Sequence, residues 1–106
     1  MTDVVVTDNP AEGAFTIDVD GTRAGLTAYR DVPDTAERIF YHTEIGDEFG
    51  GQGLASTLVK QALDESITAG KTIVPVCPYV KGWVGKHPDY QRSATTVTSA
   101  HLALVR

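Results

Sequence analysis

Phe15, Ile17 and Val19 alternate with Thr16, Asp18 and Asp20, a period of two that predicts a strand with one face in a core. Asp20-Gly21 follows, and a two-residue turn of this composition accepts the positive φ angles of a tight hairpin. The returning strand is expected from about Thr22 to Tyr29. Arg30 to Ala36 carries Asp31, Pro33 and Asp34 and reads as a loop. From Glu37 to Ile45 a further strand would put Ile39, Tyr41, Thr43 and Ile45 on one face, with Phe40, His42 and Glu44 on the other. Residues 1–46 therefore predict three or four antiparallel strands in succession.

The period changes after Ile45. Between about Gln52 and Ala69, the apolar positions Ala55, Leu58, Val59, Ala62, Leu63 and Ile67 recur at steps of three and four. That spacing predicts an amphipathic helix with Lys60, Gln61, Asp64 and Glu65 outward, ended by Gly70 in a left-handed cap. Lys71 to Val76 is a short β-branched run, expected as a central strand. Pro is favoured at a first helical position, so Cys77-Pro78 opens a second, shorter helix through Val80, Trp83, Val84 and His87, which Pro88 stops. The tail from Ser93 to Arg106 alternates weakly through Thr96, Thr98, Ala100, Leu102 and Leu104, and its pattern suggests a last strand. With no repeat and no linker, residues 1–106 are expected as one domain with a core over about 12–91. The fold class is α/β, a mixed and mostly antiparallel sheet flanked by one long and one short helix.

Composition narrows the partners. Nine Lys+Arg against fourteen Asp+Glu give a net charge of -5, which lacks the broad positive footprint of a nucleic-acid binder. No apolar stretch approaches the ~18–20 residues of a membrane span. The N-terminal stretch has no positive n-region and does not read as a signal peptide, so a reducing, cytoplasmic setting is expected. A single cysteine, Cys77, excludes an internal disulfide and a cysteine-rich zinc site. His42, His87 and His101 show no ligand spacing, so no metal is expected.

Gly50-Gly51-Gln52-Gly53 lies between the predicted strand and the long helix. Glycine lets a backbone turn tightly and aim successive N–H groups at one point. The first N–H groups of the helix lack internal partners and sit at its positive dipole end. Together these make an anion site, a phosphate or pyrophosphate above all, or else merely a glycine-rich turn. A Walker loop is excluded because no Gly-Lys-Ser/Thr follows. A dinucleotide fingerprint fits poorly, since the preceding sheet reads as antiparallel and the third position after Gly53 is Ser56.

These residues carry a resemblance. His42-Thr43-Glu44-Ile45, then Gly50-Gly51-Gln52-Gly53-Leu54-Ala55, then Pro75-Val76-Cys77-Pro78-Tyr79-Val80, with Trp83 and His87-Pro88-Asp89-Tyr90, resemble the GNAT N-acetyltransferase superfamily and its small, single-domain Yjdj-type branch. The resemblance covers roughly residues 12 to 91. The superfamily's loop, Arg/Gln-x-x-Gly-x-Gly/Ala, falls on Gly50 to Ala55; Gly53 and Ala55 match, and Gly50 stands where Arg or Gln is usual. The resemblance implies acetyl-CoA as cofactor, its pyrophosphate held by the backbone of Gly50, Gly51, Gln52, Gly53, Leu54 and Ala55. It also implies that the strand ending at Ile45 bonds the pantetheine arm, and that the strand ending near Cys77 splays away to admit it.

Three side chains are candidates for the chemistry. Acetyl transfer to an amine needs a deprotonated amine, a polarised thioester and a proton for the departing thiolate. Cys77, as the cap of a helix begun by Pro78, would sit beside that helix's positive end, a setting that raises thiolate content. It would take the acetyl group or protonate the leaving sulfur; the alternative is a buried cysteine acting as a small hydrophobe. His42 and Glu44, two apart on one strand, would accept the ammonium proton or form an ordinary solvated pair. Tyr79 and Tyr90 are further proton donors or core-edge packing, and Lys81 and Lys86 either touch phosphates or are solvated. The expected function is N-acetyl transfer from acetyl-CoA to an amine of a small molecule or protein, with a non-catalytic acyl-CoA sensor or adaptor as the alternative. The acidic charge favours a cationic acceptor.

Overall fold

The computed structural model describes residues 3–105; Met1 and Thr2 of the strand-rich stretch and Arg106 of the tail lie outside the described residues. Five strands form one sheet in chain order: β1 (Val4–Asn9), β2 (Ala14–Val19), β3 (Thr22–Asp31), β4 (Glu37–Ile45) and β5 (Thr72–Pro75). The first four pair antiparallel, and β5 joins β4 in parallel. Asp20 and Gly21 both have positive φ, 50° and 84°, as the β2–β3 hairpin requires. After β4 come a 3-10 turn at Asp47–Phe49, then helix α1 (Leu54–Thr68). Beyond β5 lie α2 (Pro78–Gly85), α3 (Pro88–Gln91) and α4 (Ser99–Leu104).

The core forms where α1 and α2 lie on one sheet face. Leu58, Val59, Ala62 and Leu63 of α1 meet Phe15, Ile17, Phe40 and Ile73 from the strands and Val80 of α2. Helical spacing places those four α1 residues on one stripe, so the burial follows from the pattern. Phe15, Tyr29 and Phe40 form an aromatic cluster with ring centroids 5.4–6.4 Å apart.

The run from Lys71 to Val76, expected as a central strand, gives β5 at the edge of the sheet, and two further expectations change. Simple alternation along β4 separates Phe40 from Thr43 and Ile45, yet Ala28 pairs with His42 while Tyr29 pairs with Phe40, leaving Tyr41 as an extra residue. This β-bulge shifts the phase of everything after it. Phe40 pairs with Tyr29 and Thr43 with Thr27, and Thr27 and Tyr29 share a face, so Phe40 and Thr43 both point toward the helices. Tyr41 is left exposed. The second change is the tail: its last residues form the helix α4 in place of a strand. Thr98 caps α4 with a reciprocal bond to His101, and His101 Nε2 lies 3.0 Å from Glu37 Oε1. Glu37 shares its face with Ile39, so α4 sits against the sheet face opposite α1. Among the described residues the tail makes one bridge to the sheet, Ala94 beside Ile73.

A charged clamp ties the long helix to the sheet. Arg38, buried beside the Tyr29 ring, binds both oxygens of Asp31 at 2.7 and 3.1 Å and donates to Ser66 Oγ of α1 at 3.2 Å. The hydrogen bond from Arg38 holds the Asp31 carboxyl below its ordinary range. A carboxyl with a lowered folded pKa stabilises the fold above its unfolded value of about 3.9, and that contribution is lost as pH falls through the folded value. Asp31→Asn should therefore lower stability at neutral pH and flatten the acid limb below about pH 4, read from urea midpoints across a pH series.

Candidate functional site

The site begins where two strands part. β4 and β5 pair from Glu37–Thr72 to Phe40–Pro75, and a last bond runs from Cys77 N–H to Phe40 C=O at 2.8 Å. Beyond it the chain turns into α2, whereas β4 continues to Ile45. Gly46 N–H bonds Ala24 C=O on the β3 side, so alternation aims the main chain of Thr43 and Ile45 at the opposite edge, which β5 has left. This leaves a wedge between β4 and α2 with polar backbone on one wall.

At the open end of β4 lies the glycine loop. Gly51 and Gly53 have φ of 80° and 72°, left-handed values that suit glycine. Gly53 caps α1 without a side-chain bond, and the first turn of α1 carries no acidic residue. A Cβ built on Gly51 or Gly53 would meet nothing within 4 Å, so the loop faces open space at both positions. Gly50, Gln52 and Gly53 are exposed, Leu54 is buried as the anchor of the helix, and Ala55 is half-buried. The helix starts at Leu54 rather than Gln52, which leaves Gln52 in the loop.

At the closed end lies Cys77. Its thiol does not cap α2; it donates to Thr43 Oγ1 at 3.4 Å, and Thr43 Oγ1 lies 2.9 Å from Thr27 Oγ1. Cys77 and Thr27 are buried. The two threonines were not among the expected site residues. The signal that could have found them is the break in alternation, with Ile39 and Phe40 adjacent and bulky before polar His42 and Glu44. His42 Nε2 lies 3.2 Å from Glu44 Oε2, both side chains more than half exposed. They occupy the face of β4 opposite Thr43. The structure thus unites His42 with Glu44, and Cys77 with Thr43, on two sides of the same strand.

The family profile described as GCN5-related N-acetyl-transferase matches residues 14–93, most of the chain. The chain belongs to that family. Its fold also matches the solution structure of a GCN5-like candidate N-acetyltransferase from Staphylococcus aureus, with TM-score 0.68 and 26% identity over 95% of this chain and 97% of that one. A ribosomal-protein-alanine N-acetyltransferase from Brucella melitensis shares the fold, with TM-score 0.56 and 20% identity over 80% of this chain and 62% of that one. Among curated proteins, none matches.

Other side chains of this acetyltransferase domain have structural partners. Tyr90 donates to Asp64 Oδ1 at 2.6 Å, and that bond together with burial raises its phenol above the ordinary range. Its proton is committed to α1. Tyr29, pushed up to about 12 chiefly by burial and then by its bond to Asp8, stays a neutral donor. Trp83 stacks on His87 at 3.7 Å and donates from Nε1 to Ser56 Oγ at 2.9 Å, which pins α2 to the first turn of α1. His87 is the residue that caps α3, so Pro88 ends one helix and starts another. Among the described residues no cluster of His, Cys, Asp or Glu could hold a metal, and no helix is long and apolar enough to cross a membrane.

Proposed function

We propose that this chain binds acetyl-CoA in the wedge between β4 and α2 and transfers the acetyl group to an amine. The observation that carries the reading is the parting of β4 from β5 beyond Phe40–Pro75, which opens the Thr43–Ile45 backbone in line with the glycine loop. The residues fit such a group. The amides of Gly51 to Ala55, at a helix start capped by no side chain, suit a pyrophosphate, and the free edge of Thr43 and Ile45 suits an amide-bearing arm. Coenzyme A, when bound, supplies the activated acetyl thioester.

The chain's own groups then divide the work. The backbone amides of Gly51, Gly53 and the first turn of α1 fix the phosphate end without any charged side chain in the loop. Glu44, with His42 beside it, accepts the proton of the incoming ammonium from the solvent face of β4. Cys77, held by Thr43 on the helix face, either gives its S–H proton to the departing sulfur or takes the acetyl group on Sγ while its proton leaves with that sulfur. The acceptor is an amine of a small molecule or protein, and the net charge of -5 attracts a cationic one.

The test uses acetyl-CoA labelled in the acetyl group and a panel of amines that includes polyamines and lysine peptides. Turnover on an amine, with loss on Glu44→Gln, is the expected result. Label retained by wild type and absent from Cys77→Ala identifies the covalent route. Binding with no turnover on any amine would replace catalysis by the acyl-CoA sensor, and no binding would overturn the reading of the site.

A further inference from the structure

A loop that holds a dianion by neutral amides alone leaves its charge uncompensated. Here the imbalance is larger, because Asp47 and Glu48 immediately precede the loop and the first turn of α1 holds no basic side chain. The cation must come from another element. α2 touches both elements of the site: its cap, Cys77, contacts Thr43 on the open edge of β4, and Trp83, nearly two turns on, bonds Ser56 in the first turn of α1. Along this helix runs a cleft of ≈ 210 Å³ lined by Pro78, Tyr79, Gly82, Trp83 and Lys86.

Three observations single out Lys86 in that cleft. It is the one charged residue of the lining, while Lys81 projects from α2 outside it. Among the described residues Lys60, Lys71, Arg23 and Arg38 are committed to carboxylates, whereas Lys86, like Lys81, Arg30 and Arg92, enters no ion pair, and of these four only Lys86 lines the cleft. A Cβ at Gly82, one turn before it, would meet nothing within 4 Å, so no side chain fills that position of the stripe.

We infer that Lys86 is the cation of the phosphate site, reaching from the end of α2 to the pyrophosphate held at the mouth of α1. The inference rests on the coenzyme A reading and adds to it a specificity residue on a different element. Tyr79, exposed beside Gly82, forms the apolar floor over which the ligand passes. The trade is physically reasonable: an exposed lysine costs little to keep solvated, and its attraction to a phosphate grows as the ligand excludes water.

The test measures the affinity of coenzyme A and of 3′-dephospho-coenzyme A by calorimetry, with wild type, Lys86→Met, Lys86→Arg and Lys81→Met, at low and high salt. Lys86→Met should weaken both ligands by the same factor, about three- to tenfold at low ionic strength, with the difference shrinking at high salt. Lys86→Arg should restore most of the affinity, and Lys81→Met should match wild type. A loss confined to coenzyme A would move Lys86 to the 3′-phosphate and overturn the inference, as would a loss independent of salt or no loss at all. If wild type binds neither ligand, the reading of the site falls first and this inference with it.

Discussion

Gly25→Ala is expected to lower the midpoint of thermal unfolding by roughly 12–24 °C, the equivalent of about 3 kcal/mol in a domain of this size. Alanine is the smallest change available, and its effect comes from position alone. A Cβ at residue 25 would collide with the carbonyl oxygen of Glu44 and lie 2.6 Å from a methyl of Ile45 and 3.0 Å from the Ile45 Cα. Two of those atoms are backbone, so no rotamer change relieves the contact. Gly25 pairs with Ile45 across β3 and β4, and separation of the strands would displace the edge on which the wedge depends. Calorimetry checks the stability loss. Unchanged melting would mean that β3 and β4 sit farther apart than the geometry shows.

The second large effect concerns binding. Gly53→Val should cost at least tenfold in coenzyme A affinity while the protein still folds. The space beside Gly53 is empty, so the penalty is purely torsional: φ of 72° is a left-handed value that a β-branched residue resists. The backbone relieves about 1–2 kcal/mol of strain by leaving that conformation, and the amides at the helix mouth then turn away from their common focus. Asparagine tolerates the same region, so Gly53→Asn should keep most of the affinity. Calorimetric titration of both variants separates the torsional cause from a simple loss of glycine. Equal affinities for wild type and Gly53→Val would remove the loop from the site.

Much of the fold was legible where a local rule had no competitor. Phe15, Ile17 and Val19 announce β2, Asp20-Gly21 announces its hairpin, and the steps from Leu58 to Ile67 announce α1. The glycine loop was legible for the same reason, since positive φ restricts the residues that can stand there. Tyr41 was not, because a bulge is decided by what the neighbouring strand and core will accept, and a sequence of alternating residues does not record the extra step. The tail failed for a related reason. Its weak alternation competes with Thr98 and His101, whose reciprocal capping bonds and contact with Glu37 favour a helix over a strand. Cys77 was expected to address the end of α2, yet Thr43 draws its thiol sideways, a partner thirty-four residues away in the chain.

The point at which β4 and β5 separate also measures length. Below the bond from Cys77 to Phe40 the two strands are zipped, and beyond Ile45 the chain leaves the strand through Gly46 and the 3-10 turn at Asp47–Phe49 before it reaches the glycine loop, so the open edge spans the strand from Phe40 to Ile45. At about 3.3 Å per residue that is on the order of 15 Å. If coenzyme A binds as proposed, this edge is a gauge with a stop at one end and an anchor at the other. On that reading a carrier too short to bridge them would moor its phosphate yet leave its acyl group stranded short of Cys77, so the spacing of a single strand would discriminate among acyl donors.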